Sequence, residues 1–134
     1  MNKDLQIAKK TVQTEIKALK KLSSSFGNSS HFSKAINLIS KLKGKCLVVG
    51  VGKSYLIGLK VAATLSSLGT PSVAFSANDL QHGGLGAIQK SHDILLIFSV
   101  SGESSELNSI LRYANRHNIQ VIGVSCKPSS MLLR

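Results

Sequence analysis

The sequence predicts an α/β protein, a three-layer sandwich with a mostly parallel sheet between helices, preceded by two N-terminal helices. Three observations carry this. Residues 46–51 (CLVVGV) and 93–101 (DILLIFSVS) are nearly continuous apolar runs, the pattern of strands buried on both faces. After residue 45, such runs alternate with stretches of helical spacing. Alternation of this kind implies crossover connections and hence parallel pairing.

Residues 3–24 place Leu5, Ala8, Val12, Ile16, Leu19 and Leu22 on one stripe of a helix, with most lysines off it. SSSFGNSS (23–30) is rich in breakers and reads as a connection. A second helix starts near Ser30, capped by Ser29 or Ser30, with Phe32, Ala35, Ile36, Ile39 and Leu42 on one side. Lys43-Gly44 closes it, with glycine at the position just past the helix. The strand at 46–51 is broken by Gly50 and Gly52, and a helix runs from about Ser54 to Leu68, closed by Gly69 and Pro71. SVAFS (72–76) is a short strand and NDLQHGGLG (78–86) a loop. The strand at 93–101 leads into a helix from Glu103 to about Asn118 and a strand at 119–125. Lys127-Pro128-Ser129-Ser130 reads as the entry to one more helix. Residues 1–134 read as one domain, with 1–44 as its helical N-terminal part.

Composition excludes several classes. The chain is 43% hydrophobic, enough for a core and too much for a disordered tail. No apolar run approaches the ~18 residues of a membrane span, and the N-terminus lacks the apolar stretch of a signal peptide. A soluble, cytoplasmic domain without a membrane partner is the expectation. The net charge is +11, but the excess is mostly lysine spread over helical surfaces. With 4% aromatic content there is no stacking platform, so the lysines read as solvated faces and a nucleic-acid partner is not expected. Cys46 and Cys126 form no CxxC or similar pairing and read as two small buried hydrophobes, with no metal site.

In an open parallel sheet, ligands bind beyond the carboxyl ends of the strands. Three loops qualify. Gly50-Val51-Gly52-Lys53-Ser54 follows the first strand. It is not a P-loop, because Leu47 stands five before Gly52 where that pattern needs glycine. Nor is it a dinucleotide fingerprint, because Tyr55 takes the place of the third glycine. It remains a glycine turn delivering a lysine to a helix N-terminus, either an anion contact or a plain strand-to-helix turn. The third loop, residues 99–106, is more specific. Ser99, Ser101, Ser104 and Ser105 surround Gly102 where a strand gives way to a helix. Hydroxyls and first-turn N–H groups together suit a phosphate, and one helix needs only one serine cap. The middle loop, Asp79 to Gly86, offers His82 beside Gly83-Gly84, with space around its imidazole. His31, His92 and His117 read as surface or capping residues, His117 as a cation in the last turn of its helix. Glu103 reads as a solvent-facing charge at a helix start.

VVGVGKS (48–54), TPSVAFSANDLQHGGLG (70–86) and SVSGESSEL (99–107) together resemble the sugar-isomerase (SIS) domain family, above all its arabinose-5-phosphate isomerases. The resemblance implies a flavodoxin-like SIS fold with a five-stranded parallel sheet, cut here before the last strand and helix. It implies phosphate binding by Ser54, Ser99, Ser101 and Ser104 with backbone N–H groups of Val100 and Gly102, and Gly52 and Gly83 shaping the substrate loops. It implies that Lys53, His82 and Glu106 line the reacting end of the sugar. The reaction it implies interconverts D-ribulose 5-phosphate and D-arabinose 5-phosphate, the entry to the bacterial sugar Kdo, without a cofactor. It further implies a homo-oligomer, dimer or tetramer. The departures are Tyr55 in place of glycine, Asp79 in place of glutamate and Gly84 in place of aspartate. A phosphosugar-binding module without turnover is the alternative from a different class.

Overall fold

The structure is a computed structural model that describes residues 2–26 and 30–134. Its chain divides into two compact units, Met1–Ile36 and Asn37–Arg134. The first holds α1 (Lys3–Ser25), whose first turn is closed by the Asn2 side chain accepting from the Asp4 N–H at 3.0 Å. The helix runs through Ser23–Ser25, where the sequence suggested a connection. Ser24 and Ser25 turn their hydroxyls back onto helical carbonyls and stay within the helix. The rings of Phe26 and Phe32 meet at 4.8 Å between centroids. Of the two suggested caps for α2 (Ser30–Ser40), Ser30 is already helical and Ser29 lies outside the described residues.

The second unit carries four parallel strands, β1 (Cys46–Gly50), β2 (Ser72–Ser76), β3 (Ile94–Phe98) and β4 (Gln120–Val124), in the order β2-β1-β3-β4. The register aligns Gly50 with both Ser76 and Phe98, and Phe98 with Val124, so all four carboxyl ends reach one edge. Alternation along the central strands divides the core. Leu47, Val49, Leu95 and Ile97 face one layer, made by α4 (Ala77–Gln81) and α5 (Leu107–Arg116). Cys46, Val48, Ile94 and Leu96 face the other, with Ala62 and Leu65 of α3 (Lys53–Ser67) and with Ile39 and Leu42. Gly58 lets α3 approach the sheet, since a Cβ there would lie 3.3 Å from Val48 Cγ1.

Several expectations need correction. Gly44 does not close α2, which ends at Ser40. A Cβ at residue 44 would fall 2.2 Å from Asp93 Oδ1, so glycine is required by a close approach. Phe32 and Ile36, on the apolar side of α2, are half exposed. The middle loop contains α4 and a 3-10 turn, Gly84–Ala87, because Ser76 Oγ caps α4 by accepting from the Asp79 N–H. The last helix entry is a 3-10 turn, Met131–Leu133. Cys46 is fully buried, and burial pushes its thiol up to about 11, but Cys126 is exposed because β4 ends before it. Among the described residues no helix is long and apolar enough to cross a membrane, and no group of three His, Cys, Asp or Glu could hold a metal ion.

Candidate functional site

Beyond β1 the chain turns to β2 on one side, and β3 lies on the other. The strand order therefore reverses between β1 and β3, and a crevice outside their carboxyl ends is where an open α/β sheet takes a ligand. Gly50–Ser54 leaves β1 there, and Ser99–Glu106 leaves β3 there.

Both loops are shaped by backbone that only glycine tolerates easily. Gly52, at φ +54°, starts α3 and has open space where a Cβ would be. Lys53 and Ser54 are thereby the first two residues of α3, Lys53 exposed and Ser54 half-buried. Gly102 has φ +63°, and a Cβ on it would lie 2.2 Å from Ser130 Oγ. Ser130 is fully buried, and its hydroxyl has no hydrogen-bond partner among the described residues.

The serine loop holds itself in shape. Ser99 Oγ accepts from the Gly102 N–H at 3.0 Å and lies 3.3 Å from Ser104 Oγ. Ser101 Oγ accepts from the Glu103 N–H at 3.2 Å. The Gly102 N–H, expected to face phosphate, is thus engaged within the loop. The N–H groups of Val100, Ser101, Ser104 and Ser105 have no acceptor among the described residues. These four donors, with the hydroxyls of Ser99, Ser101 and Ser104, can meet the several lone pairs of an anion.

Glu103 is not a free solvent-facing charge. Its carboxylate accepts from the Met131 N–H at 3.2 Å, and Lys127 Nζ and Arg134 stand 3.6 and 3.9 Å from it. The Leu132 N–H donates to the Gly102 carbonyl at 3.1 Å, and the Cys126 N–H to the Val100 carbonyl at 3.1 Å. The C-terminal segment therefore clamps the serine loop from behind. With Glu103 so engaged, α5 begins at Leu107, four residues later than expected.

His82 caps the end of α4 and is exposed, followed by Gly83 at φ +118°. Glu106 precedes α5, half-buried, with its carboxylate accepting from Ser105 Oγ at 3.2 Å. Gln81 joins the two, since its side-chain amide donates to the Glu106 carbonyl oxygen. This bond ties the residue before His82 to the helix start that carries Glu106. Sequence reasoning missed it, because nothing in the spacing links residues 25 positions apart. Ser130 was missed for the same reason.

His117 departs from its expected cationic role. Partial desolvation first, then the charges of Lys90 and Arg116, hold its imidazole below the usual histidine range. Desolvation and the two neighbouring cations together outweigh the helix dipole there.

The family model described as "SIS domain" matches residues 38–134. The arabinose 5-phosphate isomerase GutQ of Escherichia coli K12 is 36% identical over 128 residues, covering 96% of this chain and 39% of its own length. The arabinose 5-phosphate isomerase KdsD of Francisella tularensis is 35% identical over 137 residues, covering 100% of this chain and 41% of its own. The chain thus spans about two fifths of the length of these curated relatives. A protein of E. coli CFT073, solved in complex with arabinose 5-phosphate, superposes with a TM-score of 0.88 at 30% identity over 99% of this chain and 70% of its own. A family match across 38–134, on a four-stranded parallel sheet with a serine loop at its switch point, means that this chain belongs to the SIS domain family.

Proposed function

We propose that this chain is the sugar-phosphate domain of an aldose–ketose isomerase acting on D-arabinose 5-phosphate and D-ribulose 5-phosphate, at the entry to Kdo. The observation that carries it is the serine loop. Four N–H groups without an acceptor among the described residues and three serine hydroxyls stand at the reversal of strand order, where a phosphate would sit. The relatives named for this reaction support the choice of pentose.

In this reading Ser54, Ser99, Ser101 and Ser104 hold the phosphate, and Lys53, His82 and Glu106 face the other end of the sugar. The reaction needs no net redox partner. A base removes the proton from C2 of the aldose, and the carbonyl at C1 becomes the hydroxyl of an enediol. The same proton returns at C1 while O2 gives up its proton and becomes the ketone. His82 carries the carbon-bound proton, Glu106 serves the oxygens, and Lys53 stabilises the charge that develops on oxygen. The bond from Gln81 to the Glu106 carbonyl supports this pairing of His82 with Glu106. No cofactor enters this chemistry.

Calorimetry with D-arabinose 5-phosphate tests the phosphate site. Ser101→Ala is expected to weaken binding by about 1–2 kcal/mol, the usual loss of a hydrogen bond to a charged group. Unaltered affinity would remove the serine loop from the site.

Assembly belongs to the same reading. The stripe on α1 is exposed along its length, with Leu5 at 62% and Leu19 at 65%, and a single helix gains little stability without packing. The chain is therefore expected to form at least a dimer through α1 or its neighbours. Light scattering at ~100 μM checks this, and a monomer mass with α1 helical would refute it.

A further inference from the structure

At the opposite edge of the sheet, by the amino ends of β3 and β4, lies a cavity of about 410 Å³. Its lining comes from three separate stretches. The end of α2 and the residues after it contribute Lys41 and Lys43, the approach to β3 contributes Lys90 and His92, and the start of β4 contributes Asn118 and Gln120. The volume is in the range of small-molecule sites, ~300–1,000 Å³.

The charge of this cavity is one-sided. Among the described residues Asp93 is the only carboxylate in its lining, and it is already engaged. Its side chain is buried, and its two oxygens take the Lys45 Nζ at 2.7 Å, the Lys45 N–H at 2.8 Å and the Gln89 N–H at 2.8 Å. Lys45 neutralises it from outside the cavity lining. Lys41, Lys43 and Lys90 have no acidic partner among the described residues. Lys90 Nζ stands 5.8 Å from the centre of the Tyr113 ring, a contact that leaves its full charge in place. The charge of Lys90 also contributes, after desolvation, to the lowered pKa of His117 at this edge.

We propose that this cavity is a second anion site, for a small molecule carrying a diphosphate group. Three ammonium groups without an acidic partner among the described residues exceed the roughly two negative charges of a phosphate monoester and suit the higher charge of a diphosphate. Lysines meet such a group as point charges, and the Asn118 and Gln120 amides supply directional bonds to the rest of the molecule. Five-residue strands separate the two edges by roughly 15 Å, so this ligand is an effector and not a second substrate at the serine loop. The site does not depend on the isomerase reading.

Calorimetry of the 134-residue chain with inorganic pyrophosphate, at ~0.15 M salt to screen loose surface attraction, tests it. Two variants of equal charge are compared, Lys41→Gln/Lys43→Gln/Lys90→Gln in the cavity and Lys9→Gln/Lys10→Gln/Lys17→Gln on α1. The cavity variant is expected to bind pyrophosphate at least tenfold more weakly, and the α1 variant as the parent chain does. Unchanged affinity in the cavity variant overturns the proposal, because pyrophosphate then sits elsewhere. Equal loss in both variants also overturns it, because the attraction is then that of a general polycation for any polyanion. If circular dichroism shows the triple cavity variant unfolded, Lys90→Gln decides alone. A loss of threefold or more supports the site, and a smaller loss or none overturns it.

Discussion

The two edges of the sheet handle charge in different ways. At the carboxyl edge, the serine loop carries no cation of its own between Ser99 and Ser105. Its electrostatics come from N–H groups without acceptors among the described residues and from hydroxyls already bonded within the loop. At the amino edge, whole charges set the field. Asp93 is buried against Lys45, and three more lysines line the cavity beside it. Dipoles of fixed backbone suit a group that must be bound and released in one orientation. Fixed charges suit a structural clamp or a ligand whose charge matters more than its pose. The difference teaches that the net charge of +11 says little about the carboxyl edge of the sheet.

The largest expected effect would break the comparison at the carboxyl edge. Under the isomerase reading proposed above, His82→Ala is expected to lower kcat by ~10²–10⁴-fold, the range for losing a general acid or base. Affinity for the phosphate end should survive, because the serine loop is a different segment. Steady-state rates against D-arabinose 5-phosphate check both halves, and near-normal kcat would take His82 out of the reaction.

Next in size is a test of whether that edge is built before ligand arrives. Gly102→Ala introduces a Cβ at positive φ and directly against Ser130 Oγ. The expected loss of stability is about 2–4 kcal/mol, from the left-handed backbone and the overpacking together. Gly52→Ala is the companion variant. It has positive φ but open space, so only the backbone cost of about 1–2 kcal/mol is expected. Urea melts that rank the two equally would show that the clamp by the C-terminal segment is loose.

The amino edge is expected to yield a modest effect, and one that depends on pH. Burial pushes the Asp93 carboxyl up, but the Lys45 side chain, the N–H groups of Lys45 and Gln89, and the Lys45 charge together hold it below the usual carboxylate range. A lowered folded value means that the unfolded chain takes up the proton first. The contribution is therefore fully present above about pH 4–5 and fades as pH falls through the lowered value. Asp93→Asn should cost about 2 kcal/mol at neutral pH, since charge-assisted hydrogen bonds are lost. In denaturant melts from pH 7 to pH 2 the gap between parent and variant should narrow, and a gap independent of pH would mean that the carboxylate charge is not what matters.

The sequence was most legible where residues are buried on both faces. Leu47, Val49, Leu95 and Ile97 had to sit in a central strand, because no other placement hides such runs. It was least legible where a local signal lost to a distant partner. Glu103 looks like the start of a helix, but Met131, Lys127 and Arg134 draw it away, and the helix waits until Leu107. Gly44 has the look of a helix stop, and its real constraint is Asp93, far along the chain. One miss was avoidable. Ser76 followed three residues later by Asp79 is a capping pattern, and α4 follows it. The serine-rich turn between β3 and α5 was legible as a turn from its place between a strand and a helix, but the bond from Gln81 to the Glu106 carbonyl required the fold.

The unequal cysteines have a practical consequence. A thiol reacts as its thiolate, and Cys46 is both walled in by the sheet and raised to about 11, so it is inert near neutral pH. Cys126 is exposed, and its N–H is bonded to the Val100 carbonyl, at the rim of the serine loop. A maleimide dye added to the unmodified chain should therefore attach at one position, without any engineered cysteine. Its emission would report the filling of that loop in real time.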